Sequence, residues 1–337
     1  MPHVHAVAPG RVNLIGDHTD YTGGFVLPMA VDRYTEIRGV VGGDRIKLVS
    51  HDMHEPLDIS TLVDQPHKVD PTWGRYVAGV AAELAALGTS IPPGIDGNIV
   101  TDIPIAGGLS SSAALEVATA LALGFDGSTV ELARLCQRAE NRSSGVPTGI
   151  MDQFAIAAGI DDHALLIDCD ALTVTPVPIP PDVEIVVCFI AQRTLVGSAY
   201  ADRVAECARA EIEIGPLRHA TPHDAARIAE PVVRARASHV TSENQRVLDF
   251  ADALRVGALA EAGRLMVESH ASLRDQFETS TPLMDATVER LVATPGVYGA
   301  RMTGGGFGGC VVALTEPGTL EHGWVVRAVE GAGVTVT

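Results

Sequence analysis

The sequence predicts a mixed α+β fold built as two lobes. A chain of 337 residues has room for about two domains. Strand-like and helix-like segments mix without the strict βαβ alternation of a doubly wound sheet. Prolines concentrate at 175–181 (Pro176, Pro178, Pro180 and Pro181), a composition that reads as a hinge. The lobes are accordingly expected at 1–180 and 181–337.

In chain order, 26–30 and 35–41 read as strands, the second stopped by Gly42 and Gly43. Residues 73–87 carry Val77, Val80, Ala81, Leu84 and Leu87 at helical spacing, with Gly88 as the stop. Residues 95–103 read as a strand, 104–112 as a turn of small residues, and 113–123 as a helix apolar on every side. Such a helix must be buried, so the turn before it lies deep. A strand at 183–190 follows the hinge, then Ala/Arg/Glu-rich helices run to about 270. A glycine-rich turn at 303–309 leads into a strand at 310–314.

Composition excludes several functions. With 24 Lys+Arg against 42 Asp+Glu, the net charge is −18, which disfavours a nucleic-acid or anionic-membrane surface. An anionic ligand must be held locally, by backbone NH groups, a cation or a few arginines, since Lys47 and Lys68 are the only lysines. Five scattered cysteines without CxxC spacing fit a reduced cytoplasmic compartment and no zinc site. The start, Met1-Pro-His-Val-His, shows no signal peptide, and no apolar run approaches the ~18 residues of a membrane span.

Four segments carry chemistry. PIAGGLSSSAALEVA at 104–118 places three serines where a helix begins, and NH groups at such a start attract phosphates. The same serines also fit an N-cap on a buried helix. No Walker lysine motif accompanies them, and no protein-kinase HRD or DFG set occurs. GRVNLIGDHTDYTGG at 10–24 crowds Arg11, Asp17, His18 and Asp20 onto a loop, where they can serve sugar hydroxyls, cap a turn, or hold a metal.

In the third segment, ENRSSGVPTGIMDQF at 140–154, Asp152 is a lone acid in an apolar run, which suits a working carboxylate or a helix cap. The fourth, TGGGFGGC at 303–310, matches GxGxxG from Gly304 to Gly309. A strand-like run follows it instead of a helix, and Glu321 falls too early to serve a ribose, so it reads as a turn packed against the active site.

In this order the segments resemble the galactokinase branch of the GHMP small-molecule kinases, over nearly the whole chain. Residues 10–24 resemble that branch's sugar signature, 104–118 the superfamily's phosphate loop, 149–154 the segment with its catalytic aspartate, and 303–310 its third motif.

The resemblance implies a first lobe like ribosomal protein S5 and a ferredoxin-like second lobe, with ATP and galactose meeting between them. It implies that Asp152 and Arg11 are catalytic. Asp17, His18, Thr19, Asp20, Gly149 and Tyr200 (in GSAY, 197–200) would bind sugar. Ala106, Gly107, Gly108, Leu109, Ser110, Ser111 and Ser112 would wrap ATP, with Trp73, and Tyr76 beside it, near the adenine. Ser112 and Glu140 would hold Mg2+. The implied activity is transfer from ATP to the C1 hydroxyl of galactose by a monomer.

Two alternatives stay open: a kinase for another sugar, such as arabinose or an amino sugar, and a non-catalytic galactose sensor. The sequence departs from the branch at Asp17, which stands where the motif normally has Glu. Residues 215–245 resemble the family least, and the family's terminal extensions are expected to be short here.

Overall fold

A computed structural model describes residues 1–88, 93–105, 107–192 and 198–337. β1 (His3–Asn13) alternates buried and more exposed residues over its first half and is buried throughout from Ala8 onward, where it runs into the core. After β2 (Phe25–Val26), the expected pair of strands is largely one, β3 (Pro28–Val41), which runs antiparallel to β1 along nearly its whole length. β4 (Arg45–Ser50) and β5 (Leu57–Ser60) complete the edge. α1 (Gly74–Ala86) and β6 (Ile95–Thr101) fall where the apolar spacing puts them. α2 (Ser111–Ala122) is buried on most of its surface and packs on β1 and β3.

Helix α3 (Thr129–Ser144) starts at a Ser128/Glu131 capping box, and α4 (Met151–Ala158) packs against α2 and α3. The prolines expected as a hinge lie partly in a strand instead. β7 (His163–Asp168) pairs with β8 (Thr173–Pro178), and Pro176 and Pro178 sit opposite Leu165 and His163. β8 is the edge of the three-stranded order β2-β7-β8, where a missing NH leaves no neighbour unpaired.

The second lobe is one sheet backed by helices. β9 (Glu184–Ala191) is followed by α5 (Tyr200–Ile214), the short α6 (Pro222–Ala225), α7 (Pro231–Arg255), α8 (Leu259–Asp275) and α9 (Pro282–Val292). β10 (Val297–Thr303), β11 (Gly309–Thr315) and β12 (Trp324–Val326) complete the order β10-β11-β9-β12. The chain then returns: β13 (Gly333–Val336) pairs with β1, so the six-stranded sheet reads β13-β1-β3-β6-β4-β5 and takes its last strand from beyond residue 181. A single apolar cluster joins β1, α2 and α3 to α7, α8 and β11, which packs the lobes together along a wide seam.

Helix α8 meets β10 almost backbone to backbone. A Cβ on Gly263 would overlap the Tyr298 carbonyl, and one on Gly299 would overlap Gly263. Gly263→Ala is therefore expected to cost about 1–3 kcal/mol, because neither backbone can yield without disturbing the core. Thermal denaturation would show it as a Tm lower by a few degrees; an unchanged Tm would mean that the helix and strand can separate freely.

Candidate active site

A cavity of 310 Å³ lies between the lobes, and the motifs converge on it. At its floor the buried Arg11 guanidinium donates from Nε to Asp152 Oδ1 and from Nη2 to Asp152 Oδ2, both at 2.7 Å. Nη1 donates to the Gly108 carbonyl at 2.8 Å, which ties the pair to the small-residue turn. A two-pronged guanidinium–carboxylate contact fixes the plane of both groups. β1 supplies Arg11 just past its register shift at Pro9/Gly10, and α4 presents Asp152 in its first turn.

The two readings of the serine run separate here. Ser110 occupies the N-cap position of α2, yet its hydroxyl makes no capping bond. Its backbone is left-handed (φ 58°), a cost for a residue with a Cβ, and the hydroxyl instead donates to Asp152 Oδ2. The first NH groups of α2 are thus left for a ligand. Gly108, Ser110, Ser111 and Ser112 line the cavity, whereas Leu109 buries its side chain in the core and Gly107 contributes no wall. Ala106 lies outside the described residues.

The loop after β1 forms the opposite wall through Asp17, His18 and Asp20. Asp17 is buried: Oδ1 accepts from Gly304 N at 2.9 Å, and Oδ2 lies 2.6 Å from Arg301 Nη2. Burial pushes its carboxyl up, against the pull of Arg301. His18 contacts the rings of Phe277, Tyr200 and Tyr21, and its Nδ1 lies 3.1 Å from the Tyr21 hydroxyl.

Asp20 Oδ2 accepts from Met151 N at 3.3 Å, satisfying an otherwise open donor at the start of α4. Gly149 is needed there, since any Cβ would overlap the Asp20 carboxylate. Thr19, expected against substrate, is fully buried and forms none of the wall. Its hydroxyl bonds to the carbonyls of Gly16 (3.0 Å) and Phe25 (2.7 Å), holding the loop's own turn.

Ser112 Oγ donates to Glu140 Oε1 at 3.3 Å, bringing the two expected cation ligands together on α2 and α3. Both oxygens are hard donors and both residues line the cavity, which fits a magnesium ion that completes its shell with phosphate and water. Trp73 and Tyr76 line the same cavity near Met53, and Trp73 Nε1 donates to Glu55 O at 3.2 Å. Tyr200, Gly304 and Gly305 reach it from the second lobe, so the glycine-rich turn does pack against the site.

Sequence reasoning missed the supports of the loop after β1. His239 Nε2 lies 3.1 Å from the Asp17 carbonyl, Glu243 Oε1 accepts from Gly16 N at 3.0 Å, and Asn244 Oδ1 accepts from Phe25 N at 3.0 Å. Arg301 donates to Leu14 O at 3.3 Å. The available signal was an arginine inside an otherwise buried strand, two residues before the glycine run.

Known proteins resemble this chain in sequence and in fold. Residues 75–159 match the family model for the GHMP kinases N terminal domain, and 250–322 match that for the GHMP kinases C terminal. Fold and cavity therefore define a two-lobed small-molecule kinase. Residues 2–38 further match the galactokinase galactose-binding signature. The chain is 46% identical over 340 residues to the galactokinase of Roseiflexus sp. (strain RS-1), covering 95% of this chain and 85% of that protein.

It is 40% identical over 346 residues to the Homo sapiens galactokinase, covering 95% and 86%. The crystal structure of Lactococcus lactis galactokinase complexed with galactose superposes with a TM-score of 0.90 at 32% identity, covering 98% of this chain and 95% of that one. The chain belongs to the galactokinase family.

Burial, and then the nearby charge of Asp152, raise the Asp20 carboxyl from 3.8 to about 6. The folded chain thus keeps a proton that the unfolded chain releases between those values, and stability falls as pH rises through this window. Asp20→Asn keeps the acceptor for Met151 N but removes that slope. Its Tm relative to wild type is expected to rise between pH 4 and pH 7.5, by an amount equivalent to about 1–3 kcal/mol at the upper end. Parallel Tm–pH curves for the two proteins would contradict the shift.

Proposed function

We propose that the chain moves the γ-phosphoryl group of ATP to the C1 hydroxyl of galactose, with Asp152 as the catalytic carboxylate. The Arg11–Asp152 pair carries this reading, because it sits where the phosphate-binding turn and the sugar loop meet in one cavity. Asp152 Oδ2 accepts from Arg11 and Ser110, and Oδ1 is held by Arg11, which fixes the carboxylate where a substrate hydroxyl would meet it.

In the proposed step the C1 oxygen attacks the γ-phosphorus in line, the bond to the ADP oxygen breaks, and the hydroxyl proton passes to Asp152. Arg11 orients that carboxylate and offsets charge building on the transferred group. The NH groups at the start of α2 hold the phosphates, so positioning and electrostatics supply most of the catalysis. Ser112 and Glu140 would hold Mg2+, which neutralises phosphate charge when bound.

A monomer is part of this reading, and scattered cysteines without CxxC spacing support the cytoplasm. An intact Asp152–Arg11–Ser110 arrangement argues against a sensor without catalysis. ATP consumption with and without galactose, followed by a sugar panel with phosphorus NMR of the products, tests the activity and its breadth.

Asp152→Asn keeps the side chain's shape but removes its proton acceptor. Turnover is expected to fall about 10²–10⁴-fold while galactose affinity stays within a few-fold. Retention of more than about a third of the wild-type rate would take Asp152 out of the catalytic role.

Asp17 is shorter than the glutamate usual at its place, and its oxygens are held by Gly304 and Arg301. Asp17→Glu is expected to extend the carboxylate toward the sugar, lowering KM for galactose relative to its deoxy analogues with kcat little changed. If the KM ratios across the analogues stay fixed, Asp17 only braces the loop.

A further inference from the structure

Gln153 and Glu116 are fully buried side chains, and the proposed reaction uses neither. Gln153 follows Asp152 on α4, and Glu116 lies one turn beyond Ser112 on α2. The Gln153 amide nitrogen donates to Glu140 Oε2 at 2.7 Å and to Glu116 Oε2 at 3.1 Å, so one amide joins three helices behind the cavity. Thr148 Oγ1 lies 3.1 Å from the same Glu140 oxygen and 2.7 Å from Asn141 Oδ1. Glu140 is thus divided: Oε2 is claimed from behind, and Oε1 is shared with Ser112.

We propose that Gln153, fixed in turn by Glu116, is a positioning residue that holds Glu140 Oε2 and so presents Oε1, beside Ser112 Oγ, to the cation that accompanies the nucleotide. This inference rests on Glu140 being a cation ligand. A carboxylate free to rotate would offer either oxygen, and a divalent ion that tolerates only near-octahedral geometry would bind it less well.

Glu116 anchors the amide because its side chain cannot leave the core: its Oε1 and the Gln153 carbonyl oxygen are both buried without a protein partner. Burial, and then the Glu140 charge, push the Glu116 carboxyl well above its ordinary range. This arrangement also ties the ligand's orientation to α4, the helix that carries Asp152.

The test measures Mn2+ binding by electron paramagnetic resonance in the presence of a non-hydrolysable ATP analogue, with galactose affinity measured alongside. Gln153→Met keeps the bulk but removes the donor, and is expected to weaken Mn2+ binding about 10-fold with galactose affinity unchanged. Glu116→Leu should approach the same loss, whereas Glu116→Gln, which retains an oxygen acceptor, should stay within about two-fold of wild type. Adding Gln153→Met to Glu140→Gln should weaken binding no further, because both changes act through one oxygen.

Unchanged Mn2+ affinity in Gln153→Met, with a loss in Glu140→Gln, overturns the inference and leaves the ligand reading standing. Unchanged affinity in Glu140→Gln overturns both. Should Gln153→Met not fold, Glu116→Leu, which takes away the anchor of the same amide, replaces it, and wild-type Mn2+ affinity in that variant overturns the proposal.

Discussion

A buried guanidinium must have its counter-charge, and the site is organised around that requirement. Arg11 is 1% exposed, and an unpaired charge at such a position would cost several kcal/mol. Asp152 supplies the pairing and the Gly108 carbonyl takes the remaining prong. Several local choices follow. α4 begins where its first turn can reach β1, Ser110 accepts a left-handed backbone to turn its hydroxyl toward Asp152, and the phosphate-binding turn is drawn against the carboxylate. The arrangement that stabilises the first lobe also assembles the proposed catalytic groups.

The second lobe solves a related problem for the sugar loop. Asp17 and Glu243 are buried acids, and Arg301 and Arg246 answer them: Arg301 lies 2.6 Å from Asp17 and 3.8 Å from Glu243, and Arg246 lies 2.7 Å from Glu243. Burial opposes the charge on Glu243, yet Arg246 and Arg301 help draw its carboxyl down to about 2. Two acids and two arginines form a neutral cluster that also accepts the Gly16 NH. The proposed sugar contacts therefore stand on a rigid base supplied by α7 and β10, and the transfer groups stand on β1, α2 and α4.

Much of this was legible in the sequence, and the exceptions share a cause. The glycine and serine runs, the all-apolar α2 and the lone acid at 152 are local patterns, and each lies where its pattern implies. The partnership of β1 with β13 depends on residues far apart in the chain, to which a sliding pattern is blind.

The supports of the sugar loop were hidden for a different reason. Arg236, His239 and Glu243 recur at helical spacing on α7, which hydropathy reads as a solvent face, yet all three are buried. That stretch falls within 215–245, where resemblance to the family was weakest. Thr19 misled in the opposite sense, because a hydroxyl inside a binding motif can serve the loop rather than the ligand.

Four of the contacts that fix residues 14–25 come from more than 200 positions away, on α7 and β10. The recognition loop is consequently not a portable part. A chimera given residues 10–24 of this chain, but keeping its own α7 and β10, inherits the letters of the motif without the scaffold that shapes them. Conversely, a change at His239, Glu243 or Arg301 removes part of what holds the loop while the loop's own sequence stays the same.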